Sequence, residues 1–246
     1  MIKTSVDMLQ AGSVPERYQR NIGTVGLAGQ IRLLESRVAV VGAGGLGGMV
    51  VELLARMGVG YLRVIDGDCF AAHNLNRQLL ATENNIGENK AQAAVRRVAA
   101  VNSEITVEAV PCLLDESNAV RLLDGMHVVV DALDNFSARI LLSRVAAQLG
   151  IPMVHAAIAG FVGQVMTIFP GDKGLEQLYQ RFPESDRGIE AVLGNPAATP
   201  AFAAGLEVQE VVKIITGIGE PIRNKLLFFD TQFNVFEFLD INTDKT

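Results

Sequence analysis

Tryptophan is absent, tyrosine occurs three times, and 246 residues hold only two cysteines and three histidines. Cys69 and Cys112 make no CxxC pair and are too few for a disulfide framework. His73, His127 and His155 are scattered without metal-ligand spacing, so no structural zinc is expected. The net charge of −6, with no basic cluster, gives no footprint for nucleic acid or an anionic membrane. Long apolar runs are also missing. The most apolar stretch, Val38 to Val51, is broken by glycines and ends at Glu52 and Arg56, short of the roughly 20 residues a membrane span needs. The N-terminal residues have no apolar signal core, and a cytoplasmic location is expected. Internal repeats and low-complexity segments are absent too.

What is present is globular: 49% hydrophobic and 20% charged residues. Short β-rich runs alternate with helical segments, which indicates a mainly parallel sheet covered by helices. Strands are expected at Arg37–Val41, Tyr61–Asp66, Ile105–Val110, His127–Ala132 and Pro152–Ala156. Helices are expected at Met49–Met57, Glu88–Val101, Asp115–Leu123 and Phe136–Leu149. After residue 160 the pattern changes. A longer strand, Val162–Phe169, precedes a poorly periodic stretch from Pro170 to Pro200. An amphipathic helix from Phe202 to Thr216 follows, then a strand pair at Leu226–Phe229 and Val235–Leu239. The expected fold is α/β: a Rossmann-like, doubly wound, mainly parallel sheet with C-terminal antiparallel strands. It is read as a single domain over 1–246, with a helical arm (1–35), a nucleotide-binding core (36–160) and a crossover loop with C-terminal elements (161–246).

Gly42-Ala43-Gly44-Gly45-Leu46-Gly47 satisfies G-x-G-x-x-G between a strand and a helix. Such glycines allow a tight turn and close backbone approach, and the helix N-terminus offers free N–H groups to phosphate. Asp66 closes the next strand, where a carboxylate can accept ribose hydroxyls. The bland alternative is a turn used only for helix–sheet packing. On this motif alone the nucleotide would be NAD.

Further segments change that reading: Arg17-Tyr18-Gln19-Arg20, Asp66-Gly67-Asp68, Asn74-Leu75-Asn76-Arg77-Gln78, Gly87-Glu88-Asn89-Lys90-Ala91 and Asp131-Ala132-Leu133-Asp134-Asn135. At these residues, in order and from about Arg17 to the end, the sequence resembles the MoeB/ThiF/HesA family, bacterial relatives of ubiquitin-activating enzymes. The resemblance implies an adenylyltransferase that uses ATP and Mg²⁺ on the C-terminal Gly-Gly carboxylate of a ubiquitin-like sulfur-carrier protein. Thiamin and molybdopterin or tungstopterin synthesis are the implied pathways, with a separate sulfur donor. Asp134 would bind Mg²⁺, and Arg77 and Lys90 would contact the phosphates. Asp66 would hold the ribose, with Gly42, Gly44, Gly45, Gly47, Asp68, Asn74, Gln78 and Asn135 at the nucleotide. Arg20 would reach the site of the other subunit of a homodimer. The Pro170–Pro200 stretch would roof a groove for the glycine tail.

Two departures stand out. The CxxC pairs of many relatives are missing, as is the cysteine many carry in the crossover loop. No covalent enzyme–partner intermediate is expected at that loop. Cys69 is read as a loop residue and Cys112 as a packed thiol. A non-catalytic, partner-binding relative and an NAD-dependent oxidoreductase remain as alternatives.

Overall fold

In a computed structural model, which describes residues 2–179 and 188–241, strand β1 (Arg37–Val41) shows why the sheet is parallel and central. Val38 and Val40 pack on one side with Ala39 and Val41 on the other, all at most 1% exposed. A strand covered on both faces reads as a continuous apolar run. Around it lie β2 (Tyr61–Ile65), β3 (Thr106–Val110), β4 (Val128–Asp131) and β5 (Met153–Ala159), then β6 (Val162–Ile168), β7 (Lys225–Asp230) and β8 (Val235–Asp240). The eight strands run in the order β3-β2-β1-β4-β5-β6-β7-β8. Pairing is parallel from β3 to β5, with Val40 facing both Val64 and Val130, and antiparallel from β5 onward. This is the sheet expected from the sequence. The strand order reverses between β1 and β4, and the crevice at the carboxyl ends there is where such sheets bind ligands.

The helices are α1 (Ile2–Gln10), α2 (Gln19–Leu34), α3 (Gly45–Met57), α4 (Lys90–Val101), α5 (Ala119–Leu123), α6 (Phe136–Gln148), α7 (Leu175–Leu178), α8 (Glu190–Leu193) and α9 (Ala198–Thr216). Helices α3, α4 and α9 bury one face of the sheet, and α5 and α6 the other. The arm docks through Tyr18, fully buried, whose hydroxyl accepts from Asn102 Nδ2 at 3.0 Å. The Arg17 guanidinium donates to Oδ1 of the same asparagine. Gly26, at φ 66°, kinks α2.

Several boundaries differ from the sequence reading. Helix α4 begins at Lys90 because Asn89 caps it, accepting from Gln92 N at 3.1 Å. Residues 115–118 form a turn in which Asp115 Oδ1 accepts from the N–H groups of Ser117 and Asn118, so α5 starts only at Ala119. Helix α9 begins at Ala198 rather than Phe202. Pro200 sits in its first turn, where a missing N–H costs nothing. The stretch from Pro170 to Pro200 contains the short helices α7 and α8, and its residues 180–187 lie outside the described ones. Among the described residues no helix is long and apolar enough to cross a membrane.

Candidate nucleotide-binding and active site

The carboxyl ends of β1–β5 open into a cleft of about 300 Å³. Its floor is the glycine turn. Gly42 has φ 94°, and a Cβ there would lie 2.4 Å from Ala132 O. A Cβ on Gly47 would lie 1.8 Å from Gly42 O, so this glycine serves the closure of α3 onto the turn rather than the cleft wall. Gly44 and Gly45 do line the cleft, with the Arg77 side chain lying over Gly45 and the Gln78 amide near Gly44.

Asp66 is 8% exposed and grips the turn directly: Oδ2 accepts from Ala43 N at 2.7 Å and Oδ1 from Asp68 N at 2.8 Å. Burial pushes its carboxyl above the ordinary value, opposed by the Ala43 N–H and by the charge of Lys90. Asn89 donates to the carbonyls of Asp66 and Asp68, at 3.0 and 3.1 Å, and so joins the start of α4 to the loop after β2. That places Lys90, 7% exposed, at the cleft with Nζ 2.9 Å from Asp68 Oδ2. The more exposed Asp68 thus serves as the partner that aims Lys90.

Asn74 is buried but does not line the cleft. Its Oδ1 accepts from Ala71 N at 2.9 Å, and its carbonyl accepts from the N–H groups of Arg77 and Gln78. It shapes the turn that presents those two side chains. Gln78 is 5% exposed, lines the cleft, and has an Oε1 with no partner. A buried acceptor left open at a cleft is an invitation to a ligand donor. Asn135 lines the cleft while capping α6, its Oδ1 accepting from Ala138 N at 2.9 Å. Asp134 beside it is exposed, at the cleft wall. Arg20 is exposed on α2 and is not among the cleft residues of its own chain.

The sequence reading missed one end of this cleft. Arg139, Ala157 and Ile158 line it, as do Glu190 and Asn195 from the crossover stretch. Asn76 Nδ2 donates to Asn195 O at 3.2 Å, and Gly160 N donates to Gly194 O at 2.7 Å, fixing residues 194 and 195 at this end of the cleft. Beneath lies a buried polar chain. Asp131 and His155 are both fully buried, with Asp131 Oδ2 2.7 Å from His155 Nδ1. The imidazole Nε2 lies 3.3 Å from both Gln164 Nε2 and the Tyr179 hydroxyl. Burial holds His155 below its ordinary pKa, so the neutral ring donates from Nδ1 to Asp131 and accepts at Nε2. Cys112, expected to be a packed thiol, is half-buried against the core and also lines the cleft beside Leu113 and Leu114. Cys69 is exposed and lies outside the cleft.

A doubly wound sheet with a glycine turn, a buried acidic residue and fixed cations at its switch point defines a nucleotide-binding α/β protein. The chain matches the ThiF family over residues 18–246 and belongs to it. It is 39% identical over 235 residues to the SAMP-activating enzyme E1 of Haloferax volcanii, covering 93% of this chain and 86% of that protein. It is 37% identical to the sulfur carrier protein adenylyltransferase of Thermus thermophilus, covering 87% and 83%. Among solved structures, the E. coli protein MccB with bound ATP superposes with a TM-score of 0.81 at 23% identity, covering 92% of this chain and 72% of that one. At that identity the likeness speaks for the fold.

Proposed function

We propose that this protein adenylates the C-terminal glycine carboxylate of a ubiquitin-like sulfur-carrier protein at the expense of ATP. The observation that carries the reading is the convergence of Lys90, Arg77, Asp134 and the open Gln78 acceptor on one cleft over the glycine turn. The names of the Haloferax and Thermus relatives support the acyl substrate.

Asp66 already spends one lone pair of each oxygen on a backbone N–H, and the remaining ones face the ribose hydroxyls. Cys112, Leu113 and Leu114 form the wall beyond Asp66, suited to a base. The free N–H groups at the start of α3 take phosphate oxygens. Lys90 and Arg77 neutralise the triphosphate and the charge that grows as pyrophosphate departs. Lys90 exchanges its bond to Asp68 for phosphate. Attack by a carboxylate needs no general base, so catalysis rests on positioning and charge. Mg²⁺ fits the donor set. Such an ion is usually held by one or two carboxylates plus substrate phosphates, and Asp134 on the cleft wall is the carboxylate that would hold it. When bound, Mg²⁺ supplies further neutralisation of the phosphates. The exposed position of Arg20 on the arm suits a reach into the cleft of a second copy.

ATP–pyrophosphate exchange tests the proposal. Exchange should require a ubiquitin-like protein ending in Gly-Gly and vanish when those two glycines are trimmed. Exchange that persists with the trimmed protein would refute the tail as substrate, and stabilisation by NAD but not by MgATP would refute the nucleotide.

A further inference from the structure

The order of strand ends orders the cleft. Cys112–Leu114 and Asp66 sit at β3 and β2, the glycine turn at β1, Asp134 at β4, and Ala157 and Ile158 at β5. A nucleotide laid with its ribose at Asp66 and its phosphates at the turn leaves the β4–β5 end for the second substrate. The cation at that end is Arg139, in the first turn of α6.

Arg139 is only 11% exposed, yet its hydrogen bonding is incomplete. Nη2 donates to Leu133 O at 2.6 Å, while Nε is buried without an acceptor. Its nearest carboxylate, Asp131, lies 3.8 Å from Nε and gives its close contact, 2.7 Å, to His155 instead. A structural ion pair would close this gap with a short or bidentate bond. Here Asp131 offsets the arginine's charge without taking a short bond, the Tyr179 hydroxyl lies beside the guanidinium, and the side chain still lines the cleft.

We propose that Arg139 binds the carboxylate of the incoming chain end and holds it beside the nucleotide's α-phosphate. The proposal rests on the adenylation reading above. Two anions must meet for that reaction, and a guanidinium pairs with a carboxylate through parallel N–H groups while shielding it from phosphate. Asp131 acts through Arg139 as a positioning residue, and His155 fixes Asp131 by donating from Nδ1. Glu190 and Asp134 share the cleft, so without Arg139 the arriving carboxylate would meet mainly negative charge at this end.

The test compares wild type with Arg139→Lys and Arg139→Gln. Exchange kinetics use a ubiquitin-like protein ending in Gly-Gly, and short Gly-Gly peptides with a free carboxylate or a carboxamide end serve as competitors. Arg139→Lys keeps a cation for Asp131, and an unfolding temperature close to wild type certifies its fold. The expected result is unchanged MgATP affinity in both variants. In Arg139→Lys the KM for the protein substrate should rise about tenfold or more, with a smaller change in kcat. Preference for the carboxylate peptide over the carboxamide should shrink in Arg139→Lys and vanish in Arg139→Gln. A purely structural arginine would leave that preference intact, which would overturn the proposal. So would a loss of MgATP affinity as large as the rise in KM. No exchange by the wild-type protein with any such partner would overturn the adenylation reading itself, and this inference with it.

Discussion

At the β2–β3 end of the cleft, side chains bond mainly to backbone groups. Asp66 grips Ala43 and Asp68, Asn89 ties down the loop that carries Asp68, and Asn74 shapes the turn that presents Arg77 and Gln78. At the β4–β5 end side chain meets side chain. Asp131 meets His155 of the next strand, His155 meets Tyr179 of the crossover stretch, and Glu207 of α9 is fully buried nearby with neither oxygen bonded. The first end ties its loops together through main-chain atoms, which every residue type supplies. The second depends on the identity of each partner side chain, so single substitutions should disturb it more.

Substitutions can break this contrast. Asp131→Ala should have the largest effect on stability, because it strands Arg139 and removes the acceptor of His155. A loss of about 3–5 kcal/mol is expected in denaturant unfolding. Lys90→Ala should leave folding largely intact and reduce exchange by about 100-fold or more, the scale of losing one charge-stabilising donor. Gly47→Ala forces a Cβ against Gly42 O, and should cost about 1–3 kcal/mol of stability together with nucleotide affinity.

The smallest effect concerns Glu207, which burial holds well above its ordinary pKa, with the charge of Asp131 adding to the shift. The folded protein keeps that proton while the unfolded chain releases it above about pH 4.3. Stability therefore falls as pH rises from there toward the folded-state pKa, with a slope of up to about 1.4 kcal/mol per pH unit. Glu207→Gln should flatten the alkaline side of that profile and leave its acid side, below pH 4, unchanged. A variant whose stability–pH curve parallels wild type throughout would show that Glu207 is not neutral in the fold.

Much of this molecule is legible in the sequence, and the limits have physical causes. The strands are short buried runs that repeat between helical periods, so their places in the chain and the mainly parallel class could be read from pattern alone, while their order in the sheet came from the structure. The glycine turn, Asp66, Arg77, Lys90 and Asp134 lie in compact motifs, and the structure brings them to one cleft. Asn74 and Gly47 are near it but serve backbone geometry. Arg139 reads as an ordinary helical charge, because its burial depends on packing that no local period reveals. One signal was there: it lies one turn beyond the cap Asn135, and helical side chains lean back toward the N-terminus. His155 looked isolated because Asp131 is its neighbour only across the sheet. Glu207 looked like the polar face of an amphipathic helix, but α9 is covered by α3 as well as by the sheet.

The most direct test of the central claim follows the α-phosphate. The protein, Mg²⁺ and a ubiquitin-like protein ending in Gly-Gly would be incubated with ATP labelled at either the α- or the γ-phosphate. Adenylation predicts label on the partner from α-labelled ATP only, released by hydroxylamine as expected for an acyl-adenylate. Label from γ-labelled ATP, or none from either while MgATP binds, would contradict the account.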